Sequence, residues 1–442
     1  MENWRYMMFI NKKIRLFIIK RTQLVINKIQ LPIMPFSVLI LLCPPLWAQQ
    51  QTSIDTVLKR IENNNLSLQR YGLKAESYKY KARAATAWMA PMVGLGTFMT
   101  PYPGTEIMDE RDKGALMFQL EQDIPNPGKL KAQQRFIASQ ANAERTAGMI
   151  SLNLLKAQAK SLYYTSIVAE QRIKVLVTND RIMQMMKKIE EIRYPYNQSK
   201  LSGVFRAKAR IEENQNMIRM QQGEIARAKA VLNALMNVPA NSPLDIDTAF
   251  VPAFKAEAIL DTALLASRRQ DIIQMDQNIN TMRLGIKAMN AQNKPDFRVR
   301  FDHMSPLNKM MPKAYSIMGM ISIPIVPWAS KMYKSEAKAM NYEVQSMEKE
   351  KEGMLQESQG MLYGMQYQIL SMQKRISAME ETIVPALRRT MDADFASYQE
   401  NKLSLPEVIS SWEALTMMQT DVLDEKMKLY QMIVDYEKEL YR

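Results

Sequence analysis

The sequence predicts a mainly α chain with a small β part, and three observations lead there. Apolar residues recur at helical spacing over stretches of about sixty residues. Four short segments alternate apolar and polar side chains, the period of a strand with one buried face. Landmarks also return in the same order about 200 residues later, the mark of an internal duplication.

Residues 1–48 are set apart by charge. They carry Arg5, Lys12, Lys13, Arg15, Lys20, Arg21 and Lys28 against Glu2 alone, which is +6 of the +14 of the whole chain. A basic stretch leads into Phe36–Leu42 and then Pro44-Pro45-Leu46-Trp47-Ala48, the pattern of an export signal cleaved after Ala48. The alternative for this segment is lipid attachment at Cys43, the only cysteine. The remaining charge is mixed in sign along helical stretches, which describes a solvated surface and not a nucleic-acid stripe.

The mature chain divides into 49–245 and 246–442, with Val238-Pro239-Ala240-Asn241-Ser242-Pro243 as the linker. In the first half helices are expected at 53–88, 129–190 and 204–237, and in the second at 256–292, 329–396 and 406–441. The landmarks agree: Pro91 recurs as Pro295, Ile124-Pro125 as Ile323-Pro324, and YNQSKLS at 196–202 as YQENKLS at 398–404. A 60-residue helix spans about 90 Å, wider than any single globular core, so such helices pack along one another as coiled coils. Met340, Met347, Met354 and Met361 lie seven apart and, after a four-residue step, so do Met365, Met372 and Met379; this spacing is read as an a/d seam.

The strand segments lie near Val93 and Leu95, over 116–121, over 296–302 and over 315–323. In the third, Phe297, Val299 and Phe301 alternate with Arg298, Arg300 and Asp302. With their flanking residues the segments are expected to be about 9–10 residues long, the length of a tilted membrane-spanning strand, and in an exported chain that reading is preferred to a half-buried soluble sheet. Four strands do not close a barrel, and lipid tolerates no open edge, so further copies of the chain must pair the edges. Three copies would give twelve strands.

An enzyme is hard to build from this composition. One histidine, one cysteine and 14 glycines leave no triad, no zinc site and no phosphate cradle, and no cofactor is expected. The 37 methionines invite a soft-metal reading, but those at heptad spacing are assigned to packing. His303, Met304, Met310 and Met311, placed in the loop between the third and fourth strands, form the separate metal-ligand candidate. Met318 and Met320 are expected to face the lumen.

Over the whole mature chain the pattern resembles the TolC family of outer-membrane efflux ducts. The likeness rests on Val57–Leu66, Ile124-Pro125-Asn126-Pro127-Gly128-Lys129, Ala234-Leu235-Met236-Asn237, Ile323-Pro324-Ile325 and the stretch from Pro385 through Val408. The Pro-x-Pro-Gly-Lys piece looks most like the heavy-metal and cation branch. The resemblance implies a homotrimer in the outer membrane of a Gram-negative bacterium, with a twelve-stranded barrel above a periplasmic helical tunnel. It also implies outer-membrane lipid around the barrel, a periplasmic adaptor (membrane fusion) protein and an inner-membrane pump of the resistance-nodulation-division type as partners. Such a duct is a passive exit for metal cations or drugs; the alternative is a periplasmic coiled-coil adaptor or scaffold.

The same resemblance makes the two turns the adaptor-docking surfaces: Ser199, Lys200, Leu201 and Ser202 in one half, Asn401, Lys402, Leu403 and Ser404 in the other. At the place where the family has a turn glycine, Ser199 and Asn401 are expected, with the first turn one residue shorter. Some members close the tunnel with a ring of carboxylates just after the turn. Glu407 matches that position, while Ser410 and Gly203 stand where further acids would be.

Overall fold

The computed structural model describes residues 51–441; the export-signal and Cys43 readings fall outside them. Most of the described chain is helical. The first half contains α1 (Ile54–Asn64), α2 (Leu66–Ala84), β1 (Met92–Phe98), β2 (Ala115–Ile124), α3 (Pro127–Arg193) and α4 (Leu201–Leu235). The second contains α5 (Thr262–Arg268), α6 (Gln270–Asn290), β3 (Phe297–Pro306), β4 (Ala314–Ile321), α7 (Pro327–Ala378), a π turn at Met379–Ile383, α8 (Val384–Gln399) and α9 (Leu405–Glu439). Among the described residues no helix is long and apolar enough to cross a membrane.

The start of α3 shows why these helices begin where they do. Pro127 occupies the first turn, where its missing N–H costs nothing, and the Asn126 side chain accepts from the Gly128 N–H at 2.9 Å. The helix then runs 67 residues, about 100 Å at the standard rise, and packs against α2, α4, α6 and α9.

Three expected helices are interrupted. The 53–88 helix breaks at Asn65 and ends at Ala84, and the 256–292 helix starts at Thr262 and breaks at Arg269. The 329–396 helix holds the π turn and extends to Gln399. Between Pro127/Pro327 and Asn197/Asn401 the offset of the halves grows from 200 to 204 residues. Both the π turn and the four-residue step in the methionine pattern lie in that interval.

The sheet is antiparallel in the order β1-β2-β3-β4. The register sets Leu95 opposite Phe118, Leu120 opposite Phe301, and Phe301 opposite Ile317. One face is therefore mostly apolar, and it is open: Leu95 is 84% exposed, Tyr315 73% and Ile317 68%. The other face carries Met117, Gln119, Glu121, Asp123, Arg298, Arg300, Asp302 and Met304, with Met318 and Met320. Arg298 pairs with Glu121 at 2.8 Å and Asp123 at 2.6 Å, and Arg300 with Asp302 at 2.9 Å. The strands are 7, 10, 10 and 8 residues long, and Ile323 lies beyond β4.

Two apolar clusters hold the helices together. One joins Ile61, Tyr163, Ile167 and Leu232 of the first half to Ile369 and Ile433 of the second. Within it Tyr163 donates to the Thr52 carbonyl at 2.9 Å and accepts from the Asp247 N–H at 3.1 Å, pinning the segment after α4; burial pushes its phenol up to about 12. The second cluster, Met183, Met186, Ala207, Met391, Tyr398, Val408 and Trp412, lies next to the two helical turns. Of the methionine series, Met365 and Met372 pack on the first cluster and Met379 is buried, but Met340, Met347 and Met354 are only half-buried and Met361 is exposed. The buried seam of α7 runs instead through Ala337, Val344, Ser358 and Leu362, so the a/d assignment of the first four methionines is corrected.

Candidate functional site at the helical tips

The two turns close in the same way. Asn197 (φ 58°) and Asn401 (φ 61°) adopt the left-handed conformation that asparagine tolerates. The residue after each reaches back five positions: Gln198 N–H to the Arg193 carbonyl at 3.2 Å, Lys402 N–H to the Ser397 carbonyl at 2.9 Å. Lys200 and Ser404 are then the caps of α4 and α9.

This corrects two expectations. Ser199 does not hold the left-handed position; Asn197 does, and the Ser199 hydroxyl donates to the Glu190 carbonyl at 3.1 Å. The turns are also equal in length, three residues from asparagine to cap. The repeated Lys-Leu-Ser is consequently out of step with the fold by two residues. Lys200, Leu201 and Ser202 open α4, whereas Lys402, Leu403 and Ser404 precede α9.

The tips are tied by three residues outside the predicted site. Tyr398, buried, donates to Glu190 Oε1 at 2.6 Å. Burial and then that carboxylate push the phenol well above its usual range. Arg193 donates to the carbonyls of Tyr398 at 2.9 Å and Gln399 at 3.0 Å, its guanidinium 4.7 Å from the Tyr398 ring centre. One signal for this cluster is present in the sequence: Tyr398 opens the repeated heptapeptide.

Glu407 caps α9. Its carboxylate accepts from the Ser404 hydroxyl at 2.6 Å and the Ser404 N–H at 2.9 Å, and those hydrogen bonds hold it below the usual glutamate range. The equivalent place in α4 is Gly203, where a Cβ would run into the Glu190 carboxylate. Each helix start thus has one carboxylate beside it, Glu407 from its own first turn in α9 and Glu190 from α3 in α4, as the helix dipole favours. A pocket of about 660 Å³ lies between the turns, with Arg193, Lys200, Arg206 and Lys402 among its lining residues beside Glu190 and Glu407.

The metal-ligand candidate is not gathered. His303 and Met304 are in β3, not in the loop, and as neighbours on a strand they face opposite sides of the sheet. His303 sits between Phe118 and Tyr315 on the apolar face, and Met304 opposite Met117 on the polar face. Met310 and Met311 follow β3, with their N–H groups held by Asn308 Oδ1 at 3.0 and 2.8 Å. Among the described residues no group of three or more His, Cys, Asp or Glu side chains is placed to hold a metal ion.

No protein-family model matches the chain, and no curated protein sequence matches it. Solved structures do. The outer-membrane channel OprN is 14% identical with a TM-score of 0.70, the match covering 88% of this chain and 89% of that one. CusC, known from structures of folding and transmembrane channel formation, is 18% identical with a TM-score of 0.70 and coverage of 88% and 92%. The outer membrane protein VceC of Vibrio cholerae is 16% identical with a TM-score of 0.65 and coverage of 88% and 95%. At these identities the likeness is one of architecture, and the chain has the fold of the TolC-type outer-membrane channels.

Proposed function

We propose that the chain is the exit duct of a tripartite efflux pump in the outer membrane of a Gram-negative bacterium. Three copies close a twelve-stranded barrel in lipid, and their helices continue as a periplasmic tunnel. The duct meets a periplasmic adaptor at the tips and, through it, an inner-membrane pump of the resistance-nodulation-division type. It does no chemistry of its own; metal cations or drugs pass through it.

One observation carries this reading. The sheet has an open apolar face and two edge strands, β1 and β4, that pair with no further strand among the described residues. In water such a face and such edges invite aggregation; in lipid the face is solvated and the edges require neighbouring copies. The likeness to solved outer-membrane channels supports the same conclusion.

The test is extraction and conductance. The native chain should need detergent to leave the membrane, migrate as a trimer after cross-linking, and conduct ions in a planar bilayer. Release by salt as a monomer without conductance would overturn the duct and favour a periplasmic scaffold.

A further inference from the structure

Between α6 and α7, with α3 along one side, lies a groove of about 670 Å³ remote from the tips. Both helices repeat methionine every seven residues along it: Met275, Met282 and Met289 in α6, Met340, Met347 and Met354 in α7. Met282, Met289, Met340 and Met347 line the groove itself. Two ion pairs fix the helices antiparallel and bring the two series to the same level, Arg283–Glu348 at 2.5 Å and Asp276–Lys351 at 2.8 Å. A seven-residue step is about 10.5 Å of helix, so thioethers from both sides line the groove at regular intervals.

These methionines are not core filler. All six are half-buried, while the seam that packs α7 runs through Ala337 and Val344. Gly285 is buried in the floor of the groove, and the Met340 methyl rests 2.8 Å from where a Cβ there would be. A helix-interior glycine is less stable than alanine, and here it makes room for a thioether. The electrostatics are equally specific. In a chain of net charge +14, the charged groups among the described lining residues are Glu336 and Glu343, with no lysine or arginine. The rest of the polar lining is mostly neutral amide, and the Thr281 hydroxyl is buried there without a partner.

Thioether sulfur is a soft, neutral ligand suited to monovalent soft metals, and a hard divalent cation would instead require a cage of oxygens. We propose that this groove binds Ag+ or Cu+ through pairs of methionine sulfurs contributed by α6 and α7, with Glu336 and Glu343 balancing the charge. Binding follows from the groove itself. That the ion is cargo rests on the duct reading.

The experiment is equilibrium dialysis of Ag+ against the full chain in detergent, in a Cys43→Ser background so that the one thiol does not compete. Met282→Leu, Met289→Leu, Met340→Leu and Met347→Leu combined keep the volume and apolarity of the groove. Replacing residues that merely orient a metal's ligands already costs about 10–100-fold in affinity, so losing the ligands themselves should weaken Ag+ binding at least that much. Sulfur ligation in the X-ray absorption spectrum of the Ag+-loaded wild type is a readout that needs no variant. Unchanged affinity in the leucine variant, or a spectrum without sulfur around the silver, overturns the proposal. Bilayer conductance separates the two readings: a conducting trimer that binds no Ag+ removes the groove and keeps the duct, whereas Ag+ binding without conductance does the reverse.

Discussion

Asn65 and Arg269 stand 204 residues apart and hold the same carbonyl in their respective halves. Asn65 Nδ2 donates to the Leu235 carbonyl at the end of α4 at 2.9 Å, and Arg269 Nη1 to the Glu439 carbonyl at the end of α9 at 3.3 Å. Leu235 and Glu439 are themselves 204 apart. Both donors sit in extended backbone, ψ 120° and 116°, at the break between two helices. Each break turns a side chain toward a helix end whose last carbonyls lack partners.

The two clasps should differ in cost. Arg269 is buried and also pairs with Asp271 at 2.6 Å and Glu439 at 2.9 Å, so Arg269→Ala strands two partly buried carboxylates and should cost about 3 kcal/mol or more. Asn65→Ala removes one hydrogen bond and the cap of α2, about 1–2 kcal/mol. Thermal unfolding in detergent checks the order; a larger loss at Asn65 would refute the account.

At the tip, Tyr398→Phe keeps the ring and removes the donor to Glu190. The buried carboxylate then lacks its hydroxyl partner, a loss of about 1–3 kcal/mol. Amide exchange in 190–206 should accelerate. Unaltered exchange would mean that the hydroxyl does not hold α8 to α3.

Glu407 ties α9 to pH. Its carboxyl is held below the ordinary 4.5 by the Ser404 hydroxyl and N–H. A depressed folded value means the stabilisation is complete above the unfolded value and is lost as pH falls through the lower one. Exchange at the first turn of α9 should therefore rise on acidification below about pH 4.5, and Glu407→Gln should flatten that rise. If three copies of Glu407 also ring the aperture, the same variant should lose cation selectivity in single-channel recordings.

Much of this architecture was legible because periodicity is a local property. Strand alternation at Phe297, Val299 and Phe301, and the proline-marked start of α3, follow from neighbouring residues alone. The break at Arg269 does not, since its side chain is received by Glu439, 170 positions away, whereas Asn65 also caps α2 locally by accepting from the Ser67 N–H. The tip register is hidden from the sequence for a related reason. Lys-Leu-Ser recurs at an offset of 202, but the left-handed asparagines recur at 204, and backbone geometry governs where a helix reverses. Glu190 carried no local signal; its role depends on Tyr398, 208 positions away.

That two-residue displacement separates the proposed docking residues. Leu201 is 42% exposed on the first turn of α4, whereas Leu403 packs against the cluster beside the tips. Lys200 and Lys402 are both exposed, but Lys402 pairs with Glu400 at 2.6 Å. If the tips dock an adaptor, Lys200→Ala with Leu201→Ala should weaken capture by the cognate periplasmic adaptor and leave thermal stability near that of the parent, as surface substitutions generally do. Leu403→Ala should lower stability first, through lost packing. Pull-down and unfolding on the same preparations separate these effects, and undiminished capture with all four of Lys200, Leu201, Lys402 and Leu403 replaced would remove the tips as the docking surface.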